Sequence, residues 1–443
     1  MSRYQIGGAE VIPTLQKHIL ADGFHVVIDL ERSHGSYIHD AVTGKEILDF
    51  YSYFASLPVG HNHPKLRGDK EFLAALERAA LANPANSDIY TMEYGAFVER
   101  FAALARPEGL QYLFFVAGGA LAVENALKVA FDWKVRKNRA AGRGEKGGQI
   151  LHFKEAFHGR SGYTMSLTNT DPVKTDGFPK FDWPRVVNPK LQFPVDEAEL
   201  RRVAEVEKEM VRQIEAAFAE RKDEIAAIII EPIQGEGGDN HFRAELFRSL
   251  RALADQHDAL LIFDEVQTGG GITGELWCHQ HFGVTPDILV FGKKCQVCGI
   301  MASKRVDEVP DNVFHTPGRI NSTWGGNLVD MVRGLKYLEI IHEDKLVANA
   351  AKMGARFLAG LEQLRARHGD LVSNVRGRGL FTAFTLPSTA IRNTLRQACW
   401  DLGLATLTSG ATSIRFRPGL DVCVPEIDRG LEILDRALER AHA

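Results

Sequence analysis

The sequence predicts an α/β fold, in which a large domain carries a mostly parallel sheet covered by helices and a smaller α+β domain is built from both chain ends. Short apolar runs recur along the carboxyl two-thirds of the chain, with amphipathic stretches between them. The runs are rich in Ile, Val, Leu or Phe and end in polar or glycine residues, as in strands buried on both faces. Residues 1–50 lack this strand–helix alternation and read as a separate kind of structure.

Taken in order, residues 1–59 hold two strand-like pieces, FHVVIDLE and GSYIHDA, with a DAVTGK turn, and form the amino-terminal part of the small domain. The large domain is expected over 60–326. There LFFV leads into Gly118, and Val123, Ala126, Leu127, Ala130 and Phe131 recur at helical spacing. GRGEKGG at 142–148 reads as a surface loop, and Ile150–Phe153 as a buried strand. A long helix carries Leu200, Val203, Val206, Met210, Ile214 and Phe218. Ala226–Pro232 and Leu260–Glu265 are strands separated by a helix with Leu246, Phe247, Leu250, Leu253 and Ala254 on one face. Ile288–Phe291 is the next strand. Residues 327–443 complete the small domain, with Leu328, Met331, Val332, Leu335 and Leu338 on one helix and a last helix starting at Pro425.

Composition narrows the function. The 443 residues include 53 Lys+Arg against 57 Asp+Glu, a net charge of −4, without the basic excess that phosphate neutralisation requires. No apolar run reaches the roughly 20 residues of a membrane span, and MSRYQIGGAEVIPTLQKHIL lacks the pattern of a secretory signal. Five cysteines make no disulfide framework, and a cytoplasmic enzyme is expected. Cys295 and Cys298 have CxxC spacing but no second ligand pair, so they read as packing residues. His61 and His63 read as a turn beside Pro64. Neither GxGxxG nor GxxxxGK[ST] is completed, which removes the dinucleotide and P-loop cradles.

In parallel sheets, ligands gather beyond the carboxyl ends of the strands. FDEVQTG delivers Asp264 and Glu265 to one such end, where a lone buried carboxylate costs several kcal/mol. FGKKCQ delivers Lys293 and Lys294 to the next. A lysine and a carboxylate on successive strand ends suit pyridoxal phosphate, which takes a Schiff-base lysine and an acid facing its pyridine nitrogen. Gly118, Gly119 and Ala120 open a helix after LFFV, a place for backbone donors to a phosphate. Phe157, just after ILHF, could face the ring.

These residues lie in motifs that run through most of the chain. They are GHNHP (60–64), GGALAVENALK (118–128), FHGRSGY (157–163), EPIQGEGG (231–238), FDEVQTG (263–269), DILVFGKK (287–294), NSTWGGN (321–327) and IRFRP (414–418). In order and spacing the chain resembles the class III pyridoxal-phosphate aminotransferases, of the type I fold of such transferases. Its wording is most similar to the branch acting on the ε-amine of lysine.

The resemblance implies roles. Lys293 is the catalytic Schiff-base lysine and Asp264 the partner of the ring nitrogen. Gly119 and Ala120 give backbone donors to the phosphate, Phe157 stacks on the ring, and Gln267 contacts cofactor or substrate. Thr323 reaches the phosphate of the other subunit of a homodimer. Arg160, Glu236, Gln267, Asn321 and Arg415 bind substrate. Arg160 takes the distal carboxylate, and Arg415 the α-carboxylate of 2-oxoglutarate. Glu236 neutralises Arg415 when lysine, with no carboxylate beside its reacting carbon, is bound. His158 is expected to support the site at least as much as to act in it.

The chain departs from the broader family in KCQVCG after the lysine, and in Gly118 and Ala120 where a serine and a hydroxyl residue are usual. The implied reaction moves the ε-amino group of L-lysine to 2-oxoglutarate. The alternatives are another ω-aminotransferase, for ornithine or 4-aminobutyrate, then an aminomutase or a non-catalytic binding protein. No metal and no nucleic-acid partner is implied.

Overall fold

The computed structural model describes residues 3–442. Near its start, β1 (Tyr37–His39) and β2 (Glu46–Asp49) form an antiparallel hairpin. The DAVTGK turn joins them because Asp40 accepts hydrogen bonds from the backbone N–H groups of Val42 and Thr43 and from the Thr43 hydroxyl. FHVVIDLE differs from expectation: it holds only a single bridge, Ile28 to Asp40. Asp29 Oδ1 takes the N–H groups of Glu31 and Arg32 and turns the chain before a ladder can form. A helix at Gly8–Gln16, with no buried residue, has no counterpart in the apolar pattern.

The main sheet has seven strands: β3 (Leu110–Val116), β4 (Gln149–Phe153), β5 (Arg185–Val186), β6 (Ile225–Ile230), β7 (Leu260–Asp264), β8 (Ile288–Phe291) and β9 (Cys298–Ser303). Their spatial order is β3-β9-β8-β7-β6-β4-β5, and only β9 runs antiparallel to its neighbours. The buried strands alternate their side chains between two apolar layers. Ile229, Ile262, Val290 and Ile300 pack with Val123, Leu127 and Trp133 of the helix Gly119–Ala140. Ile228, Ile230, Leu261 and Phe263 pack with Leu246, Phe247 and Leu250 of Ala244–Gln256 and with Met210 and Ile214 of Glu197–Glu220. β9 and the two-residue β5 are the strands the apolar pattern does not reveal. In β9, Gly299 lies where a Cβ would come 2.2 Å from the Phe114 carbonyl oxygen, so close strand approach takes the place of a side chain.

The remaining strands are β10 (Ser373–Arg378), β11 (Phe381–Thr385), β12 (Leu404–Ala405), β13 (Leu407–Ser409) and β14 (Ser413–Phe416). Four of them form an antiparallel sheet in the order β10-β11-β14-β13. β12 instead pairs in parallel with β2, so the two chain ends share a sheet. The helix Leu328–Glu343 starts at Asn327, whose side chain accepts the Val329 N–H. The last helix runs Val424–His442. Among the described residues, no helix is long and apolar enough to cross a membrane.

Candidate active site

Five strand ends of the main sheet open onto one cavity of about 560 Å³, in the range of roughly 300–1,000 Å³ usual for ligand sites. Gly119 and Ala120 follow β3, Phe157, His158 and Arg160 follow β4, and Glu231 and Glu236 follow β6. Asp264 closes β7, with Val266 and Gln267 beyond it, and Lys293 follows β8. Arg415 enters from the other sheet, on β14.

Asp264 is 5% exposed, and its Oδ2 lies 2.7 Å from His158 Nδ1 while Oδ1 accepts the Val266 N–H at 3.1 Å. The imidazole and the Val266 N–H therefore orient the carboxylate, one oxygen each, at the cavity wall. His158 is itself held by its backbone N–H, which donates to Thr168 Oγ1. Glu265, fully buried, turns away and accepts the N–H groups of Cys278 and His279. Its role is structural.

Lys293 stands on a tight turn with φ +47°, a left-handed conformation uncommon for a lysine. Burial, and then the nearby charge of Arg415, lower its ammonium from the ordinary range, which favours the neutral, nucleophilic amine. Lys294 points away and donates to the Leu57 carbonyl oxygen at 2.9 Å, with burial bringing it down to about 7.

Opposite lies a charged cluster. Arg415 Nη2 donates to Glu236 Oε2 at 2.6 Å and Nη1 to Gln267 Oε1 at 3.0 Å. Glu236 Oε1 accepts from Lys174 Nζ at 2.5 Å. The two cations hold the Glu236 carboxyl below the usual range against the opposing effect of burial. Behind them Arg417, fully buried, donates from Nη2 to both oxygens of Asp239 at 2.8 Å. Gly235 lies where a Cβ would fall 2.2 Å from Gln267 Oε1, so only glycine lets the glutamine in.

Fold and strand-end cluster define a cofactor-dependent transferase, and the class III aminotransferase model matches residues 20–438: the chain belongs to that family. It is 52% identical over 425 residues to an L-lysine-epsilon aminotransferase of Mycobacterium tuberculosis, covering 96% of this chain and 94% of the relative. It is 48% identical over 426 residues to one of Streptomyces clavuligerus, at 96% and 93% coverage. A lysine aminotransferase from M. tuberculosis, solved in the internal aldimine form, superposes with a TM-score of 0.96 at 50% identity, covering 98% of this chain and all of that one.

The family uses pyridoxal phosphate, and the residues here fit it. The helix Gly119–Ala140 begins with no side-chain cap behind Gly118 at φ +109°, which leaves first-turn N–H groups for a phosphate. Next to it a Cβ on Gly159 would strike the Ala120 Cβ at 2.6 Å, so the start of the helix is open only because position 159 is glycine. Asp264 would supply the acid and Lys293 the amine.

Of the residues singled out in the sequence, Gly119, Ala120, Phe157, Arg160, Glu236, Asp264, Gln267, Lys293 and Arg415 line the cavity. Asn321 and Thr323 are exposed and do not. The Thr323 carbonyl oxygen instead accepts the Ser87 hydroxyl at 3.1 Å.

Sequence reasoning missed Glu231, Lys174, Tyr53 and Phe54. Glu231 sits 4% exposed under Phe157, accepting the N–H groups of Phe157 and Gly235, and burial pushes it up to about 7. The EP of EPIQGE is its only sequence trace. Tyr53 and Phe54 line the cavity from a left-handed turn in which Ser52, Tyr53, Phe54 and Ala55 all have positive φ. Asp49 anchors that turn through the Ser52 N–H, and the Ser52 hydroxyl bonds the Arg417 carbonyl oxygen. No glycine marks it, so no signal could have located it.

Proposed function

We propose that the protein transfers the ε-amino group of L-lysine to 2-oxoglutarate, releasing L-2-aminoadipate 6-semialdehyde, which cyclises, and L-glutamate. The observation that carries this reading is the Arg415–Glu236 pair in the cavity of Lys293. It is supported by two relatives near 50% identity, each named for action on lysine.

Pyridoxal phosphate, when bound, supplies the electron sink for bond breaking at the carbon that carries the amine. Lys293 would anchor the cofactor and, once the substrate amine has displaced it, would be free to take and return the proton at that carbon. Asp264, aimed by His158, would keep a proton on the ring nitrogen. The N–H groups of Gly119 and Ala120 would hold the phosphate, and Phe157 would face the ring. Arg160 binds the carboxylate distant from the reaction through a bidentate fork. Gln267 aligns Arg415 and meets cofactor or substrate, and Glu236 occupies Arg415 while lysine reacts and yields it to the α-carboxylate of 2-oxoglutarate.

Asn321 and Thr323 belong, in this reading, to the site of the partner in a cytoplasmic homodimer. Support for a partner surface comes from Leu81, Ile89, Tyr90 and Met92, apolar and 67–88% exposed, on the segment whose Ser87 touches the Thr323 loop. The reading also divides the chain into 1–59 and 327–443 as a small domain around 60–326.

The test is incubation of the holoenzyme with lysine and 2-oxoglutarate, with both products identified by mass. Glutamate together with the cyclised semialdehyde is expected. Faster turnover of ornithine or 4-aminobutyrate at equal concentration would replace this reading. Glu236→Ala should slow the lysine half-reaction more than the 2-oxoglutarate half-reaction; equal losses would reject the exchange at Arg415.

A further inference from the structure

Lys174 has no place in the reaction described so far, although its ammonium lies at the site. It ends a short turn, Pro172–Lys174, with its side chain only 13% exposed. Nζ contacts Glu236 Oε1 at 2.5 Å and Thr170 Oγ1 at 3.3 Å, and stands 5.4 Å from the centre of the Phe157 ring. Glu236 thus gives one oxygen to each of two cations, Oε2 to Arg415 and Oε1 to Lys174.

Counting charges shows what the second cation does. With lysine reacting, no carboxylate enters this corner, and Arg415, Lys174 and Glu236 sum to +1. A keto-acid carboxylate arriving on Arg415 brings the sum to zero, leaving each cation one anion. Without Lys174 the same event would leave −1, with Glu236 displaced and unpaired in a side-chain environment only 27% exposed.

We propose that Lys174 is a specificity-determining residue that retains Glu236 by Oε1 when a dicarboxylic keto acid takes Arg415, and so favours the acceptor half-reaction. This rests on the Glu236–Arg415 exchange proposed above, but its test does not require lysine turnover.

The probe is glutarate, an unreactive dicarboxylate, titrated into holoenzyme by calorimetry, alongside single-turnover rates with 2-oxoglutarate. Lys174→Met should weaken glutarate roughly tenfold, in line with close ion pairs whose partner is left unmatched. Lys174→Arg should recover most of the loss. The lysine half-reaction should change by less than about twofold, since no new anion must be balanced. In a Glu236→Gln background, where nothing charged is displaced, the Lys174→Met loss should shrink to about twofold or less.

A loss of the same size in both backgrounds would show that Lys174 touches the ligand directly, and would overturn the proposal. So would glutarate affinity unchanged by Lys174→Met. Lys174→Gln, repeated through the same cycle, serves if the methionine variant does not fold. If wild-type enzyme ignores lysine, the amine assignment fails while the glutarate cycle still decides the role of Lys174.

Discussion

The buried pair behind the site allows one prediction to be worked through. Arg417 and Asp239 are both fully buried, with two Nη2 contacts of 2.8 Å between them. Burial pulls the guanidinium down to about 10, with Asp239 opposing the shift. Removing one partner of such a pair costs about 3–5 kcal/mol, because the other is left charged without water. Arg417 keeps other contacts: it donates to the Phe416 carbonyl oxygen at 2.8 Å and lies 3.3 Å over the Phe381 ring. Asp239→Ala is therefore placed at the lower end, about 3 kcal/mol. For a chain whose urea slope exceeds about 3 kcal/mol/M, the midpoint falls by roughly 0.5–1 M. The assay is urea unfolding of holoenzyme followed by tryptophan fluorescence. Adding Arg417→Met should restore part of the loss, because the stranded charge goes with it. A single variant within about 1 kcal/mol of wild type, or a double variant no more stable than the single, would refute the reasoning.

Three further outcomes are expected. Glu231 titrates near 7 when folded against an ordinary value of 4.5, so its stabilising contribution is present below 4.5 and is lost as the pH rises to 7. That loss is on the order of 3 kcal/mol, and thermal melts between pH 5 and 8 should show it flattened in Glu231→Gln. Gly235→Ala puts a methyl 2.2 Å from Gln267 Oε1 and should cost about 1–3 kcal/mol in thermal unfolding, relieved when Gln267→Ala is added. His158→Ala removes the 2.7 Å contact to Asp264, and the variant should lose cofactor faster on dialysis while Thr168→Ala, one step further away, has a smaller effect.

The main sheet was legible because β4, β6, β7 and β8 are short, rich in Ile, Leu, Val and Phe, and end in or run into polar or glycine residues. Asp264 and Lys293 were legible because each lies at or just beyond such an end. β9 was not, since its register depends on contact between Gly299 and β3, which no local pattern encodes. Arg415 emerged only through motif resemblance. Its strand belongs to another sheet, and no spacing along the chain relates residue 415 to residue 293. Lys174 and the Ser52–Ala55 turn were hidden for a similar reason, their places being set by contacts with Glu236 and with Arg417, 62 and 365 residues away.

That Arg415 sits on β14 while Lys293 follows β8 has a further consequence. The group proposed to take the α-carboxylate and the group proposed to handle the amine are mounted on separate frames, so the seating of one frame on the other would set how readily a carboxylate beside the reacting carbon is met. Small changes in that seating would retune the exchange of Glu236 for an incoming carboxylate, with neither residue replaced. Substitutions at the seam between the two sheets, for example at Gly410, whose Cβ would meet the Gly237 carbonyl oxygen at 3.1 Å, are thus a route to new keto-acid acceptors that leaves the chemistry of the strand ends intact.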